Sequence, residues 1–111
     1  MYLLELPGVR IEWDTTKTRR NQVKHGIAFE DAAHVFLDPL VVMVQDRIED
    51  GEERWQSIGM VAGVLLVLVA HTIDDDGDDV GAEGEAIEVF RIVSARLATK
   101  AERVRYESED R

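Results

Sequence analysis

The stretch Arg91-Ile-Val-Ser-Ala-Arg-Leu-Ala-Thr-Lys-Ala-Glu-Arg103 predicts a strand that ends near Val93, a serine cap at Ser94 and then a basic helix. Strand ends and helix N-termini are places where backbone N–H groups and side chains converge on anions. Between positions 91 and 105 the chain has five cations and a single acid, Glu102. This cationic strand-to-helix junction therefore predicts a phosphate-binding site.

The residues around this junction predict a run of strands before it and one helix after it. The helix is expected from about Ala95 to Glu107, with a buried stripe of Leu97, Ala101 and Val104. Alternating or continuous apolar residues, separated by Gly-containing turns, predict four strands: Leu40 to Gln45, Trp55 to Val61, Leu65 to Thr72, and roughly Ala86 to Val93.

The N-terminal part of the chain predicts one strand and two helices. Val9 to Trp13 alternates as a strand does, Asp14 is a suitable N-cap for a helix from Thr15 to His25, and Gly26 is suited to end that helix. The apolar stripe of the second helix consists of Phe29, Ala32, Ala33 and Phe36, and Asp38-Pro39 ends it. The predicted order is β-α-α-β-β-β-β-α, an α+β fold with helices packed on a small, curved antiparallel sheet.

Composition limits the classes of function. A chain of 111 residues is expected to form one domain, over residues 1–111, and the absence of cysteine excludes disulfide and thiolate chemistry. The N-terminus lacks the features of a secretory signal, and the longest apolar run, Met60 to Ala70, is too short to span a bilayer. The expected location is therefore the cytoplasm, with no membrane partner.

The net charge of -10 is unevenly distributed. Asp74 to Glu88 holds eight acids and no base, so the rest of the chain carries only -2. The Gly and Asp content of the acidic segment predicts a flexible loop at about 74–85. Lys17 to Lys24, by contrast, contains four bases and no acid. A basic patch and an acidic loop that lie apart act separately at physiological salt, where the Debye length is about 8 Å.

No cofactor or metal site is predicted. The three histidines, His25, His34 and His71, share no ligand-like spacing. The alternating aspartates of the acidic segment lack the spacing and the closing glutamate of a calcium-binding loop.

Three places combine residues that could act on a phosphodiester: Lys24-His25 at a helix end, Glu53-Arg54 after a glycine turn, and Arg91, Ser94 and Arg96 at the junction. Each also has a structural interpretation. Lys24-His25 could simply interact with the helix dipole, Glu53-Arg54 could be a surface ion pair, and Ser94 could be only a cap. Arg91, within an apolar strand, is the hardest to explain structurally and is therefore the strongest functional candidate.

A set of ordered motifs resembles the BrnT family of toxins. The matching residues are Glu12-Trp13-Asp14, Lys17, Asn21, Lys24 to Ala32, Phe36-Leu37-Asp38-Pro39, Gly51 to Trp55, Ile58-Gly59, Arg91 to Arg96, Ala98-Thr99, Glu102-Arg103 and Tyr106-Glu107. Each motif is short, but the ordered set extends over nearly the whole chain and is highly specific.

The resemblance implies a toxin of a type II toxin–antitoxin module with a RelE-like fold, which cleaves RNA and arrests growth. Cleavage is expected to need no metal ion, because the chain has no coherent ligand motif. The resemblance also implies a BrnA-like antitoxin as partner, contact with operator DNA only through that antitoxin, and assembly as a dimer or as a heterotetramer with the antitoxin. Carried over by position, the catalytic set comprises Lys24, His25, Glu53, Arg54, Arg91 and Arg96. The residues expected to bind RNA phosphates are Arg54, Arg91, Ser94, Arg96 and Lys100.

Within this set, either His25 or Glu53 is expected to carry the proton. Three arginines are expected to hold the phosphate: Arg54, Arg91 and Arg96. Two features depart from the family pattern: the long acidic segment before the last strand and the low isoelectric point. They leave a second hypothesis, that of a BrnT-fold binding module with weak or no catalysis. A third hypothesis, a small-molecule enzyme, has no residue pattern that favours it.

Overall fold

The computed structural model describes residues 2–80 and 86–109, and the side chains of residues 4–74 and 87–109. The elements are β1 (Tyr2–Leu6), β2 (Val9–Trp13), α1 (Thr15–His25), α2 (Phe29–Ala32), a 3-10 helix (Ala33–Leu37), β3 (Val42–Glu49), β4 (Glu52–Val61), β5 (Leu65–Val80), β6 (Ala86–Leu97) and α3 (Lys100–Ser108). Within the described residues, no helix is long and apolar enough to cross a membrane.

The α+β class is confirmed, and the sheet has six strands in the order β1-β2-β6-β5-β4-β3. Four neighbouring pairs are antiparallel, whereas β2 and β6 run parallel, so the sheet is mixed. The sequence had not predicted β1, which forms a hairpin with β2. The expected strand at Val9 to Trp13 and the expected helix at Thr15 to His25 are confirmed at the same residues.

One face of the sheet is covered by α1, α2 and the 3-10 helix, and we call it the helix face. Phe29, Ala32 and Ala33 are buried against strand residues there, and Phe36 packs against the same cluster, so the predicted stripe is confirmed. Close packing on β4 requires Gly59, because a Cβ at this position would lie 2.9 Å from the carbonyl oxygen of Val35.

The buried side chain of Asn21 joins α1 to the sheet. Its amide nitrogen donates to the carbonyl oxygens of Ala95 (2.7 Å) and Ile27 (2.8 Å), and its amide oxygen accepts from Ala95 N–H (3.1 Å). Since β2 pairs with β6 only as far as Arg91, Asn21 supplies the backbone partners that a neighbouring strand would provide at Ala95.

The opposite face of the sheet, which we call the arginine face, is covered by a helix at one end only. Tyr106 of α3 is buried there with Val42, Ile58, Leu66 and Leu68. Asp38 fixes this helix, because its carboxylate accepts hydrogen bonds from the Tyr106 hydroxyl (2.6 Å) and from Met60 N–H (2.8 Å).

The predicted junction at Ser94 is wrong. Strand β6 continues to Leu97, because its ladder with β5 extends to the pair Val67–Leu97, and α3 begins only at Lys100. Thr99, not Ser94, is the N-cap, and it forms a capping box with Glu102. The predicted stripe of Leu97, Ala101 and Val104 is exposed, and the buried residue of α3 is Tyr106.

The expected acidic loop at 74–85 is also wrong in its first part. Residues 74–80 continue β5, which pairs with β6 as far as Val80 and Ala86. Residues 81–85 of the expected loop lie outside the described residues.

Candidate functional site

A row of polar side chains crosses the arginine face, and we call it the arginine row. Thr72 of β5 pairs directly with Arg91 of β6, which pairs with Glu12 of β2. Arg54 of β4 and Thr72 each lie one residue beyond the last β4–β5 pair, that of Trp55 with His71. Alternation along the strands therefore places Arg54 and Arg91 on the same face, on either side of Thr72. Their Cα atoms are two strand spacings apart, about 10 Å.

A β-bulge adds Ser94 and Arg96 to the same face. The register shifts between the pairs Ala70–Ser94 and His71–Ile92, so Val93 is the extra residue in β6. Without the bulge, residues three positions apart in a strand would lie on opposite faces. With it, Arg91, Ser94 and Arg96 all lie on the arginine face.

Each arginine of the row contacts a carboxylate of the chain. Arg91 Nη2 lies 3.7 Å from Glu12 Oε2, and the Arg91 side chain is 55% exposed. Arg54 Nη2 lies 3.3 Å from Glu52 Oε1, and the Arg54 side chain is 20% exposed. Single contacts of this kind at a surface contribute little free energy, so an external anion can replace them.

Arg96 differs from Arg91 and Arg54 because it makes a bidentate contact with its carboxylate partner. Its guanidinium donates to both oxygens of Glu102, at 2.7 and 2.9 Å, and this carboxylate is part of the capping box of α3. The hydrogen bonds from Arg96 hold the pKa of Glu102 down at about 2, and the same carboxylate raises the pKa of Arg96. This bidentate pair joins β6 to α3. Lys100, the first residue of that helix, is exposed.

Lys24 and His25 lie at the C-terminal end of α1 and line a groove between this helix and β6. The groove has a volume of about 230 Å³. It is lined by Lys17, Arg20, Asn21, Lys24, His25, Phe29, Val93 and Ser94. Ser94 thus belongs both to the groove and to the arginine face, which makes it the structural link between His25 and Arg91.

Glu53 is separated from this site. It precedes Arg54 in β4, so its side chain points to the opposite face of the sheet, and it pairs with Ile48 at the exposed end of β3. Of the two candidate proton carriers, the structure places only His25 beside a residue of the arginine face.

His71 is a buried structural residue. It is 0% exposed, stacks on Phe90 and meets the edge of Phe36. Its Nδ1 donates to the carbonyl oxygen of Thr72 (3.1 Å), so Nε2 accepts from the Ser57 hydroxyl (2.7 Å). Burial disfavours the charged imidazole and lowers the pKa of His71 to about 4.

Sequence reasoning had not assigned Lys17, Arg20 or Thr72 to the site. The first two could have been found, because positions 17, 20 and 24 follow the spacing of one helix face. No sequence signal singles out Thr72. Within the residues described, no group of three or more His, Asp or Glu side chains is arranged to hold a metal ion.

The fold and this site define a small α+β protein whose mixed sheet is covered by helices on one face and carries arginines on the other. Residues 13–102 match the model of a family described as the ribonuclease toxin BrnT of type II toxin-antitoxin systems. The chain belongs to this family.

A solved structure supports the assignment. The chain is similar to the Brucella abortus ribonuclease toxin BrnT, with 25% sequence identity, a TM-score of 0.50, and coverage of 81% of this chain and 96% of that chain. None of the curated protein sequences matches the chain.

Proposed function

We propose that this chain is an active endoribonuclease toxin that cleaves RNA without a metal ion and is neutralised by a BrnA-like antitoxin. The observation that carries the proposal is the strand register, which puts Arg54 and Arg91 on one sheet face beside Ser94, next to His25. A phosphodiester bound on this face would have cations on both sides and an imidazole near its edge.

The chemistry required is attack of a ribose 2′-OH on the adjacent phosphorus. The negative charge that grows on the phosphate oxygens needs fixed donors, and guanidinium groups meet phosphate through a planar, permanently charged fork. We assign this role to Arg54 and Arg91. The proton of the 2′-OH needs an acceptor, and the leaving 5′-oxygen needs a donor. Histidine can do either, and we assign acceptance of the 2′-OH proton to His25, while the leaving 5′-oxygen takes its proton from water.

The remaining candidates receive supporting roles in this proposal. Ser94 shares the groove with His25 and the strand β6 with Arg91, and it would donate a hydrogen bond to a phosphate oxygen. Exposed Lys24 and Lys100 would attract neighbouring phosphates of the RNA. Arg96 would position α3 through Glu102.

The second hypothesis, a binding module with weak or no catalysis, is favoured by one observation. Arg47, Arg54, Arg91 and Arg96 each have a carboxylate of the chain within 4.0 Å. Intramolecular carboxylates compete with RNA phosphates for the same guanidinium groups. In this hypothesis the chain would bind the antitoxin and act with it as a co-repressor on operator DNA.

Expression of the chain alone in cells, with and without a co-expressed antitoxin, tests the proposal. We expect growth arrest and loss of intact bulk RNA with the wild type, and normal growth with Arg91→Ala and Arg54→Ala. Arg103→Ala removes the same charge from an exposed position of α3 and serves as the matched control. Normal growth and intact RNA with folded wild-type protein would contradict the enzyme and favour the binding module.

A further inference from the structure

The centre of the arginine row contains buried polar atoms that lack partners. Thr72 is 2% exposed, and its Oγ1 has no hydrogen-bond partner within the described part of the chain. Arg54 Nε is also buried and, among the same residues, has no hydrogen-bond partner. Buried hydroxyl and N–H groups are nearly always satisfied, because an unmade hydrogen bond there is costly. Two such donors at adjacent positions on one sheet face indicate a place for an acceptor.

We infer that the Thr72 hydroxyl is a phosphate-binding residue of the RNA site. It would donate a hydrogen bond to a non-bridging phosphate oxygen, with Arg54 Nε donating from one side and the guanidinium of Arg91 from the other. This inference rests on the proposed RNA-binding role of the arginine row and adds to it a residue outside the family motifs quoted above. No covalent step is assigned to Thr72.

The contacts around Thr72 explain how it would become accessible. The long side chains of Arg54 and Arg91 flank it on the two neighbouring strands. Within the described residues each arginine makes a single ion-pair contact, Arg54 with Glu52 at 3.3 Å and Arg91 with Glu12 at 3.7 Å. A phosphate accepts charge-assisted hydrogen bonds from both arginines at once, so it can displace the carboxylates and draw the guanidinium groups over itself. Moving the arginines exposes the hydroxyl between them.

The arrangement predicts opposite effects on stability and on binding. Thr72→Val keeps the branched shape suited to a strand but removes a donor that has no partner in the free protein. The variant should therefore melt at the same temperature as the wild type or higher. Its affinity for RNA should fall about tenfold, the usual effect of losing a hydrogen bond to a charged group. A purely structural role would not weaken binding while raising stability.

The test measures the affinity for a 2′-O-methyl RNA oligonucleotide, which keeps its phosphates but lacks the attacking hydroxyl, by fluorescence anisotropy. We expect Thr72→Val to bind about tenfold more weakly than the wild type, and Thr72→Ser to bind about tenfold more tightly than Thr72→Ala. The exposed Thr16→Val is the control and should bind as the wild type does. If Thr72→Val does not fold, the serine and alanine variants decide, because they differ only in the hydroxyl.

The results separate this inference from the proposed function. If the wild type cleaves RNA and loss of the hydroxyl changes affinity less than twofold, the inference is overturned and the enzyme stands. If the wild type does not cleave RNA, titration with inorganic phosphate followed by NMR decides. Shifts of the Thr72 and Arg91 amides that disappear in Thr72→Val would uphold the phosphate contact without the enzyme, and their absence in the wild type would overturn it.

Discussion

The two faces of the sheet both carry polar side chains, but they differ in how far those side chains are hydrogen-bonded within the fold. On the helix face, polar groups are buried and bonded to each other: Asn21 to Ala95, and His71 to Ser57 and Thr72. On the arginine face, Arg54 and Arg91 each make a single contact with a carboxylate among the described residues, and Thr72 Oγ1 has no hydrogen-bond partner there. A polar group that is fully satisfied within the fold contributes to stability, whereas one that is not is available to a ligand.

The residues of the family motifs form two groups, those bonded within the fold and those exposed at the groove. Trp13 donates to Glu30 at 3.2 Å, Asp14 caps α1, and Asn21 binds Ala95, so these residues are explained by the fold. Lys24 and His25 belong to the same motif, but they are exposed and line the groove. The largest expected stability effects therefore lie on the helix face and the largest expected activity effects on the arginine face.

The largest effect is expected for Asn21→Ala. The substitution leaves Ala95 N–H and the carbonyls of Ala95 and Ile27 without their side-chain partner, which we expect to lower the free energy of unfolding by about 3–5 kcal/mol. Urea denaturation measures it. Gln22→Ala changes an exposed neighbour in α1 and should cost less than about 0.5 kcal/mol. Equal losses in the two variants would show that Asn21 does not join α1 to the sheet.

Acid should destabilise the helix face through His71. Its pKa is about 4 in the folded chain and 6.5 as a reference, so the unfolded state takes up a proton first as the pH falls. The stabilisation from the neutral imidazole is fully present above about pH 6.5 and is lost between pH 6.5 and 4. It amounts to about 3 kcal/mol. The difference in unfolding free energy between the wild type and His71→Asn should shrink over this window, and Gln22→Ala, an exposed control that removes no titratable group, should show no such change.

A smaller effect, on activity rather than stability, is expected for Arg54→Lys. The charge stays, but the planar fork and the buried Nε donor are lost, so RNA cleavage should fall about tenfold. Steady-state cleavage of a labelled RNA measures it, with Arg103→Lys in α3 as the matched control. If lysine supports full activity at position 54, the guanidinium geometry on the arginine face is irrelevant and only its charge matters.

The smallest effect is expected for Glu102→Gln, which breaks the ion pair with Arg96. Because the pKa of Glu102 is lowered to about 2 in the folded chain, its stabilisation is present above the reference value of 4.5 and is lost as the pH falls through 2. The pair is partly exposed, so we expect a loss of only about 1 kcal/mol at pH 7, reduced by salt. Unfolding at two salt concentrations measures this, and a cost that does not depend on salt would argue against an ionic contribution.

Local signals explain which parts of the fold could be predicted from the sequence. Asp14 and Gly26 satisfy the ends of α1 by themselves, so its bounds were correct. The start of α3 was wrong because Ser94 and Thr99 are both good caps, and the choice is made by the ladder that β6 forms with β5. The continuation of β5 through the acidic residues depends on the same long-range pairing.

The geometry of the site depends both on local strand alternation and on long-range strand pairing. The separation of Glu53 from Arg54 follows from strand alternation and could have been predicted. The common face of Arg91 and Ser94 could not, because it depends on the bulge at Val93. The position of Thr72 between the two arginines likewise requires the register of three strands.

The most direct test of the central claim, that the arginine face holds RNA, is an NMR titration of the ¹⁵N-labelled chain with a 2′-O-methyl RNA oligonucleotide. We expect the amide shifts to concentrate at Arg54, Thr72, Arg91 and Ser94 and in the adjoining groove at Lys24 and His25. The amide resonances of α2 and the 3-10 helix should stay unchanged. Shifts concentrated on the helix face, with the arginine row unaffected, would contradict it.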